Sequence, residues 1–325
     1  MHNSLIPLLR ELSDGHFHSG AQLASQFGIS RATVCNVLKA AEAAGVSLHK
    51  IPGRGYRLPS APDWLTEADV RALLNMYATE FTIEVVDQID STNAALLRAP
   101  DAAHRHCLAA ETQYAGRGRR GRAWHSTLGG SLTCSVRWRF TQGIATLAGL
   151  SLATGVALIR TLREFDIDGV QLKWPNDVLW QQRKLAGILI EVQGEANGPS
   201  VAVIGIGINL RLPAQVRAGI DQSVADLAEI SNGKIARNRL LAALLSHLAA
   251  VMTEFEQHGL ANLRREWLAA HAHTGKPVRI AMANGNELTG SITGLAENGA
   301  LLLHTDDDKQ IAVNSGEVHL ARLLA

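Results

Sequence analysis

The chain has 325 residues, of which 46% are hydrophobic and 19% are charged, and its formal net charge is +1. At roughly 100–200 residues per domain this length predicts two or three domains, and the composition excludes a disordered chain. No apolar run approaches the ~18 residues that a bilayer-spanning helix needs, and the first residues lack a signal-peptide pattern. We therefore expect a cytoplasmic protein that does not enter a membrane.

The cysteine usage excludes two further classes. Cys35, Cys107 and Cys134 are widely spaced, with no Cys-x-x-Cys pair. This excludes a disulfide framework and a zinc ribbon. We expect the three thiols to behave as small hydrophobic side chains.

The charge is spread unevenly. Residues 1–60 contain six Lys or Arg against three acidic residues, which gives +3 and leaves −2 for the rest of the chain. A basic first module on a nearly neutral body permits contact with nucleic acid without requiring it.

Apolar spacing and turn residues divide this first module into elements. A helix is predicted over 5–12, ending at the Asp-Gly of 14–15, and a second helix over 19–27. A third helix, capped by Ser30, is predicted over 31–44, followed by a hairpin around the glycines of 53–55. The order helix, helix, turn, helix, hairpin is typical of a winged helix.

Beyond a proline-containing linker at 59–64, the chain mixes helices and strands. Predicted helices cover 66–77, 145–165 and 238–258, and predicted strands cover 83–89, 107–113, 131–140, 170–174, 185–193 and 200–210. Because strands outnumber helices without strict βαβ alternation, we expect an α+β sheet with helices packed on one side.

The last ~50 residues are predicted to be all β. Asn-Gly dipeptides at 284–285 and 298–299 separate alternating apolar runs. Asn-Gly between such runs is the strongest short hairpin signal, so a small β-barrel is predicted here.

The first motif is a helix-turn-helix at about 20–39. Its second helix would expose Arg31, Thr33, Asn36 and Lys39, and Arg54 lies in the hairpin behind it. These types of side chain reach base edges and phosphates in a major groove. With so few cations, one copy would bind weakly, so a dimer is expected on DNA. A small helical module that binds protein remains the alternative.

The second motif is the sequence GRGRRGRAW at 116–124, directly after a predicted strand. Glycine lets backbone N–H groups approach an anion closely, and guanidinium groups pair with phosphate or carboxylate oxygens. The pattern is neither a Walker loop nor a dinucleotide fingerprint. A basic nucleic-acid-binding tract is the alternative.

The third motif is KWPND at 173–177, followed by KLAGILIE at 184–191. Lys184 opens an apolar strand, and a buried ammonium needs an anionic partner such as a carboxylate or phosphate. The alternatives are a surface lysine at a strand start and, for Asp177, a turn or cap.

Three further sequence features are less specific than these motifs. At 90–93 the sequence DSTN marks the change from strand to helix, where its polar groups could cap the helix or bind a polar ligand. Gly205 and Gly207 would let another group approach a buried strand, or serve packing. The thirteen histidines form no metal-spaced cluster, and no metal-binding residue is predicted.

Taken in order, these segments resemble the bifunctional biotin–protein ligases that also repress the biotin operon. GRGRRGR, KWPND and KLAGIL carry the resemblance, which covers essentially the whole chain. It implies a winged helix-turn-helix domain at 1–62, a mixed-sheet, class II synthetase-like ligase domain at 63–273 and a small SH3-like β-barrel at 274–325.

The resemblance also implies a reaction and its residues. Biotin is activated by ATP, with Mg²⁺, to biotinyl-5′-adenylate and transferred to a lysine of a biotin carboxyl carrier protein. The implied biotin-binding positions are Ser91, Thr92, Asn93, Gln113, Arg117, Gly118, Arg119 and Lys184. The implied catalytic positions are Lys184, Arg119 and Asp177, and the implied DNA-binding positions are Arg31, Thr33, Asn36, Lys39 and Arg54.

One departure concerns regulation. Some repressor-type members have a Trp on a loop over the adenine, where this sequence has Val224. A homodimer formed on adenylate and operator DNA is implied, and Val224 predicts a weaker coupling between adenylate and dimer. Two other functions remain open at this point, a ligand-sensing transcription factor without ligase activity and a related lipoate ligase.

Overall fold

The computed structural model of the protein describes residues 4–43, 45–231 and 235–321. Its first part is the expected winged helix. The elements are α1 (Leu5–Glu11), α2 (Gly20–Gln26), α3 (Arg31–Ala43), β1 (His49–Ile51) and β2 (Gly55–Arg57). The predicted last residue of α3, Ala44, lies outside the described residues.

Local sequence explains these helix ends. The Ser19 hydroxyl accepts a hydrogen bond from the Gln22 amide, and the Ser19 amide donates one to the Gln22 side-chain oxygen, which forms a capping box at the start of α2. The three helices share a separate core of fully buried side chains, among them Leu8, Leu23 and Val34. The helix-turn-helix prediction is confirmed.

A seven-stranded mixed sheet forms the centre of the molecule. Its strands are β3 (Thr82–Ile89), β4 (His106–Gln113), β5 (Ser131–Phe140), β6 (Val170–Lys173), β7 (Asp177–Trp180), β8 (Arg183–Gly194) and β9 (Ser200–Asn209). The strand order is β3-β4-β5-β9-β8-β7-β6, with β3 parallel to β4 and the other pairs antiparallel.

Helices cover both faces of this sheet, so the expectation of helices on one side is wrong. The helices are α4 (Glu67–Leu73), α5 (Thr92–Arg98), α6 (Leu150–Glu164), α7 (Ala214–Ala218), α8 (Leu227–Ile230), α9 (Arg237–His258) and α10 (Leu263–Ala269). The main core contains α6 and α9. Leu96 of α5 packs instead with Leu108 and Val203, whose neighbours in β4 and β9 belong to the main core. Since side chains alternate along a strand, α5 covers the opposite face.

Two details differ from the sequence prediction. The helix predicted over 145–165 begins at Leu150, because Gly149 at φ +86° separates it from a single 3-10 turn at Ile144–Leu147. The short strand β7 and the helices α7, α8 and α10 were not predicted. In the described part of the chain, no helix is both long and apolar enough to span a bilayer.

The last part is a five-stranded antiparallel sheet. Its strands are β10 (Pro277–Ala281), β11 (Glu287–Leu295), β12 (Leu301–Thr305), β13 (Gln310–Val313) and β14 (Glu317–Leu320), in the order β13-β12-β11-β10-β14. Both Asn-Gly hairpins are confirmed, with Gly285 and Gly299 at φ +84° and +82°. The described strands β13 and β14 are the two edges of this sheet.

Arg237 and Glu111 form a buried ion pair that joins α9 to the central sheet. Their atoms lie 2.5 Å apart, and their side chains are 2% and 0% exposed. Arg237 also donates to the carbonyls of Asp63 and Ser131, and Glu111 accepts from the Leu65 amide. The pair therefore fixes the end of the linker against the sheet.

Arg10 of α1 reaches the same junction from the winged helix. Its guanidinium is 3.0 Å from the Asp87 carboxylate, 3.9 Å from that of Glu111 and 4.4 Å from the centre of the Trp64 indole. The Trp64 indole donates a hydrogen bond to the Ser13 hydroxyl. The winged helix thus contacts the central sheet through charged and aromatic groups.

Candidate active site

A cleft with an empty volume of about 460 Å³ lies over strands β4, β5, β8 and β9. All of the predicted biotin-binding residues line it, namely Ser91, Thr92, Asn93, Gln113, Arg117, Gly118, Arg119 and Lys184. Asp177 lies outside it and lines an adjoining cleft of about 640 Å³, which Arg119 and Lys184 also line. The structure therefore brings residues from four separate sequence motifs to one place.

Glycines form the floor of the cleft and fit other side chains closely. A Cβ on Gly207 would lie 2.3 Å from the Trp124 indole, and one on Gly205 would lie 2.2 Å from Asn93 Oδ1. A Cβ on Gly187 would lie 3.1 Å from the Lys184 side chain. The group that approaches the glycine-containing strand is thus the protein's own Trp124 or Asn93.

A hydrogen-bond network holds the polar wall of the cleft. The Thr92 amide and hydroxyl donate to Gln113 Oε1, at 2.7 and 3.1 Å. The Ser135 hydroxyl lies 2.6 Å from Thr92 Oγ1 and 2.5 Å from Asn93 Oδ1. Ser91 is the N-cap of α5 and accepts from the Ala94 amide. The capping interpretation therefore holds for Ser91, whereas Thr92 and Asn93 have their side chains in the network.

The network continues to the Arg-Gly loop. Asn93 Nδ2 donates to Glu191 Oε2 at 2.9 Å, and Arg117 donates to both oxygens of Glu191 at 3.0 and 2.7 Å. Both contacts come from one nitrogen, Nη2, and they are charge-assisted, so they hold the guanidinium group close to the carboxylate. Glu191 therefore anchors the first arginine of the loop to β8.

The other arginines of the loop point to different partners. Arg119 donates to Asn176 Oδ1 at 2.9 Å, and Arg122 donates to Glu317 of β14 at 2.5 Å. Burial, and next the charge of Arg120, lower the pKa of Arg119 from its ordinary value. The Arg119 cation is thus incompletely neutralised within the protein, and an anion entering the cleft would stabilise it.

Lys184 lies between the two clefts. Its Nζ is 2.7 Å from Asp177 Oδ1, and the two side chains are 15% and 17% exposed. Asp177 Oδ1 has no aligned hydrogen bond among the described residues, so this contact is an ion pair with poor geometry. Burial lowers the pKa of nearby Lys173, which lines the second cleft. The second cleft is therefore rich in cations and suited to phosphate.

The backbone of Lys184 is paired with a short extended segment. Its amide donates to the Ser223 carbonyl, and its carbonyl accepts from the Ala225 amide, both at 2.9 Å. Val224 lies between these residues and is 6% exposed. Val224 is thus the bridge partner of Lys184.

Sequence reasoning missed two residues that line the cleft, Trp124 and Asn176, and two that hydrogen-bond to Asn93, Ser135 and Glu191. Three of them lie inside or next to motifs that were recognised, at 116–124, 173–177 and 184–191. Ser135 carries no motif and meets Asn93 only because β5 packs beside α5. Its one sequence signal was its place in the alternating series of hydroxyl residues Ser131, Thr133 and Ser135 along the strand.

The predicted DNA-contacting residues lie on the outer side of the winged helix. Arg31, Asn36 and Lys39 are exposed on α3, while Thr33 is half-buried and within 2.8 Å of the Ser30 hydroxyl. Arg54 is exposed at the tip of the hairpin, with its guanidinium 4.8 Å from the centre of the Phe17 ring. The four α3 residues leave the buried face of the helix to Val34, Val37, Leu38 and Ala41.

Two buried histidines lie where the central part meets the last sheet. His271 and His273 are 7% and 2% exposed, and their ring centres are 6.0 Å apart. Burial and neighbouring cations lower the pKa of His271 to about 3 and that of His273 to about 4. Across the described ranges, no group of three or more His, Cys, Asp or Glu is arranged to hold a metal ion.

Comparison with known proteins gives three family matches. Residues 5–57 match an HTH domain, residues 85–209 match the biotin/lipoate A/B protein ligase family, and residues 273–320 match the biotin protein ligase C-terminal domain. The three matches follow the order of the winged helix, the central sheet and the last sheet.

Relatives support the same assignment. The bifunctional ligase/repressor BirA of Escherichia coli (strain K12) is 37% identical over 309 residues, which is 94% of each chain. The biotin–[acetyl-CoA-carboxylase] ligase of Paracoccus denitrificans is 31% identical over 68% of this chain and 94% of its own. The solved biotin protein ligase from Aquifex aeolicus, in complex with biotin and ATP, superposes with a TM-score of 0.63 at 25% identity, covering 74% of this chain and 99% of that one. The chain belongs to the family of bifunctional ligase/repressor proteins.

Proposed function

We propose that this protein is a biotin–[acetyl-CoA-carboxylase] ligase that also represses transcription of the biotin operon. One observation carries the proposal. The residues of the ligase motifs, including Arg119 and Lys184, meet at one cleft in a chain that is 37% identical to a bifunctional ligase/repressor over 94% of its length. Neither a transcription factor without ligase activity nor a lipoate ligase is favoured by these relatives.

Biotin would occupy the first cleft. The Thr92, Asn93 and Gln113 groups offer donors and acceptors to a polar ring, and the glycine floor lets Trp124 and Asn93 pack directly on the strand. The carboxylate would face Lys184, because a carboxylate needs a cation when it leaves water. Ser91, Arg117, Gly118 and Arg119 complete the proposed binding set.

In the first step, a biotin carboxylate oxygen attacks the α-phosphorus of ATP and pyrophosphate leaves, which gives biotinyl-5′-adenylate. Carboxylate and triphosphate repel each other, so the protein contributes mainly positioning and positive charge. Lys184 and Arg119 line both clefts and are the proposed charge-stabilising residues.

ATP would enter the second cleft together with Mg²⁺ as its usual counter-ion. Asp177, 2.7 Å from Lys184, is the proposed carboxylate for metal support or for activating the acceptor amine. Arg120, Arg122 and Lys173 line the same cleft and would face the phosphates.

In the second step, a lysine amine of a biotin carboxyl carrier protein attacks the mixed anhydride carbonyl. AMP leaves and the amine loses a proton. Until then the adenylate must be kept from water and from other amines. We assign retention to Arg119, and Arg119→Gly should release activated biotin that labels unrelated proteins. Labelling of the carrier alone, at normal speed, would contradict this role.

DNA binding is assigned to the exposed face of α3 and to the hairpin behind it. Two copies on a pseudo-palindrome would match two half-sites and add their contacts.

Adenylate binding and dimer formation would then strengthen each other equally. Val224 predicts a coupling near the lower end of the usual ~1–3 kcal/mol. Sedimentation with and without a non-hydrolysable adenylate analogue tests this, and an unchanged dimerisation constant would refute it.

The proposed domains are 1–62, 63–273 and 274–325, of which residues 1–3, 44, 232–234 and 322–325 lie outside the described ones. A chain that begins near Trp64 should keep ligase activity and lose DNA binding. The Paracoccus denitrificans ligase, which matches only 68% of this chain, supports the separation. The Arg10 contacts predict some loss of stability on truncation.

Incubation with ATP, biotin and a purified biotin carrier domain, followed by an avidin blot, tests the proposal. A biotin-dependent signal on the carrier is expected, with release of one pyrophosphate and one AMP per biotin attached. Lipoate in place of biotin tests the lipoate ligase, and no product with either acid would overturn the ligase assignment. A protein that modifies a carboxylase and reads DNA would act in the cytoplasm.

A further inference from the structure

The backbone around Lys184 is completed by a segment from outside the sheet. Strand β8 pairs with β9 only from Ala186 onward, so β9 offers Lys184 no partner. Ser223 and Ala225 supply the two backbone hydrogen bonds instead. Asn209 at the end of β9 reinforces the arrangement, since its side-chain amide donates to the carbonyls of Lys184 and Ala225, at 3.2 and 3.1 Å.

Arg217 of α7 holds this segment in place. Its Nη1 donates to the Val224 carbonyl at 2.9 Å, and its Nη2 donates to Asp226 Oδ2 at 2.7 Å. The same guanidinium forms an ion pair with Glu229. The Arg217 side chain therefore contacts Val224, Asp226 and helix α8.

The two carboxylates that bind Arg217, Asp226 and Glu229, are themselves held by other hydrogen bonds. Asp226 is 3% exposed and caps α8 by accepting from the Glu229 amide, and it also accepts from the Leu212 amide. Glu229 accepts from Arg183, the residue before Lys184, at 2.7 Å. Exposed ion pairs contribute little alone, but a network anchored on a desolvated carboxylate is more rigid.

We propose that Arg217 is a positioning residue of the ligase reaction, which keeps 223–225 paired with Lys184 and so fixes where the Lys184 ammonium points. The inference rests on the proposed function, because it takes Lys184 as the charge-stabilising group. Gln222, just before the paired residues, lines the second cleft. The contacts of Arg217 would therefore also shape the part of the site where ATP is proposed to bind.

The size of the effect follows from geometry. A displacement of about 1 Å at a reacting centre can cost about 10²-fold in rate. Lysine cannot replace Arg217 fully, because one ammonium cannot reproduce the planar set of donors that meets Val224 and Asp226 together. Arg217→Ala should therefore lower kcat by about 10- to 100-fold, and Arg217→Lys should lie between it and the wild type.

The test compares full-length wild type, Arg217→Ala and Arg211→Ala, an exposed arginine of the same segment that is outside the network. Pyrophosphate release at saturating biotin, ATP and carrier domain gives kcat, and amide exchange is measured without substrates. In Arg217→Ala we expect a lower kcat, a KM for biotin within about threefold of wild type and faster exchange at Lys184 and Ala225, with α6 and α9 unchanged. Arg211→Ala should match the wild type.

A wild-type kcat, or wild-type exchange at Lys184, in Arg217→Ala would overturn the proposal. If amide exchange in α6 and α9 also becomes faster in Arg217→Ala, the variant is unfolding more widely, and Asp226→Asn is tested in its place. This substitution keeps an oxygen for the α8 cap while removing the charge that faces Arg217. A lowered kcat with α6 and α9 protected then supports the proposal, and a wild-type kcat overturns it. If the wild type releases no pyrophosphate, the proposed function fails, and exchange at Lys184 alone decides whether Arg217 holds this strand.

Discussion

Two cations of this molecule, Arg237 and Lys184, are mostly buried and each faces a carboxylate, yet they are bound differently. Arg237 donates to Glu111 and to two backbone carbonyls, and both members of the pair are closed off from water. Lys184 has one carboxylate, Asp177, at 2.7 Å without an aligned hydrogen bond, and both remain partly exposed at the clefts.

The difference separates a structural ion pair from a functional one. Removing one member of a buried, hydrogen-bonded pair leaves an uncompensated charge, which is costly. A cation that lines a cleft can exchange its protein partner for the charge of the substrate, because the substrate enters on the side that the cleft leaves open. We therefore expect substitutions of Arg237 to lower stability and substitutions of Lys184 to lower activity.

The largest effect is expected at the structural pair. Arg237→Ala should lower the free energy of unfolding by about 3–5 kcal/mol, because Glu111 is left buried and unpaired. Urea unfolding of the full chain measures it. Arg239→Ala, an exposed position on the same helix, is the matched control and should lose about 1 kcal/mol or less. A loss below 1 kcal/mol for Arg237→Ala would show that the pair does not stabilise the packing of α9 and the linker against the sheet.

Substitution of Lys184, the cation at the cleft, should lower activity and leave stability nearly unchanged. Lys184→Ala should raise the barrier to adenylate formation by about 2.7–4 kcal/mol, since it removes a charge that faces the developing negative charge. Its free energy of unfolding should change by about 1 kcal/mol or less. Pyrophosphate release and urea unfolding on the same sample give both numbers, with Lys309→Ala as control. Near-normal release would show that the role belongs to another residue.

Acid should destabilise the junction near the last sheet. His271 and His273 have pKa values of about 3 and about 4, below the unfolded value near 6.5, so the unfolded state binds more protons between these values. Their contribution is complete above pH 6.5 and is lost as the pH falls toward 4. At pH 5.5 each imidazole should cost about 1.4 kcal/mol of unfolding free energy relative to neutral pH, so we expect a loss of about 3 kcal/mol for the pair.

Replacing both rings removes this titration. The double variant His271→Gln/His273→Gln should have a flatter dependence of unfolding free energy on pH between 6.5 and 4.5 than the wild type. Equal slopes would mean that groups other than these two histidines determine the acid response of this region.

The smallest effect is expected at the hairpin of the winged helix. Arg54→Ala should weaken binding to all DNA sequences alike and reduce the slope of log K against log salt by about 1, as for the loss of one phosphate contact. Asn36→Ala should instead change which sequences a random pool yields, because an amide reads base edges. An unchanged salt slope for Arg54→Ala would place the hairpin away from the DNA backbone.

Much of the fold was predictable because local signals agree with the tertiary structure. Ser19, Gly15 and the two Asn-Gly turns each set an element end that the structure reproduces. The start of α6 was mispredicted because apolar spacing continues through Gly149, whose backbone conformation ends the preceding turn. Strand β7, with four residues, is too short to show a period.

The candidate site was predictable only where its residues form local motifs. Arg119 and Lys184 stand in such motifs, and the structure brings them to one cleft. Ser135 and Glu191 act through contacts set by the register of the sheet and the packing of α5. Arg217 gave no signal, since its partners are a backbone carbonyl and carboxylates that converge only in the fold.

The glycine floor of the cleft also limits how such a ligase could be redesigned. Because Gly207 and Gly205 already touch Trp124 and Asn93, space for a bulkier biotin analogue has to come from the walls. Trimming Trp124 would open the most room, so a library at position 124 should yield enzymes with altered substrate range. A library at 207 should yield mostly inactive protein, and many active members there would show that the indole moves aside easily.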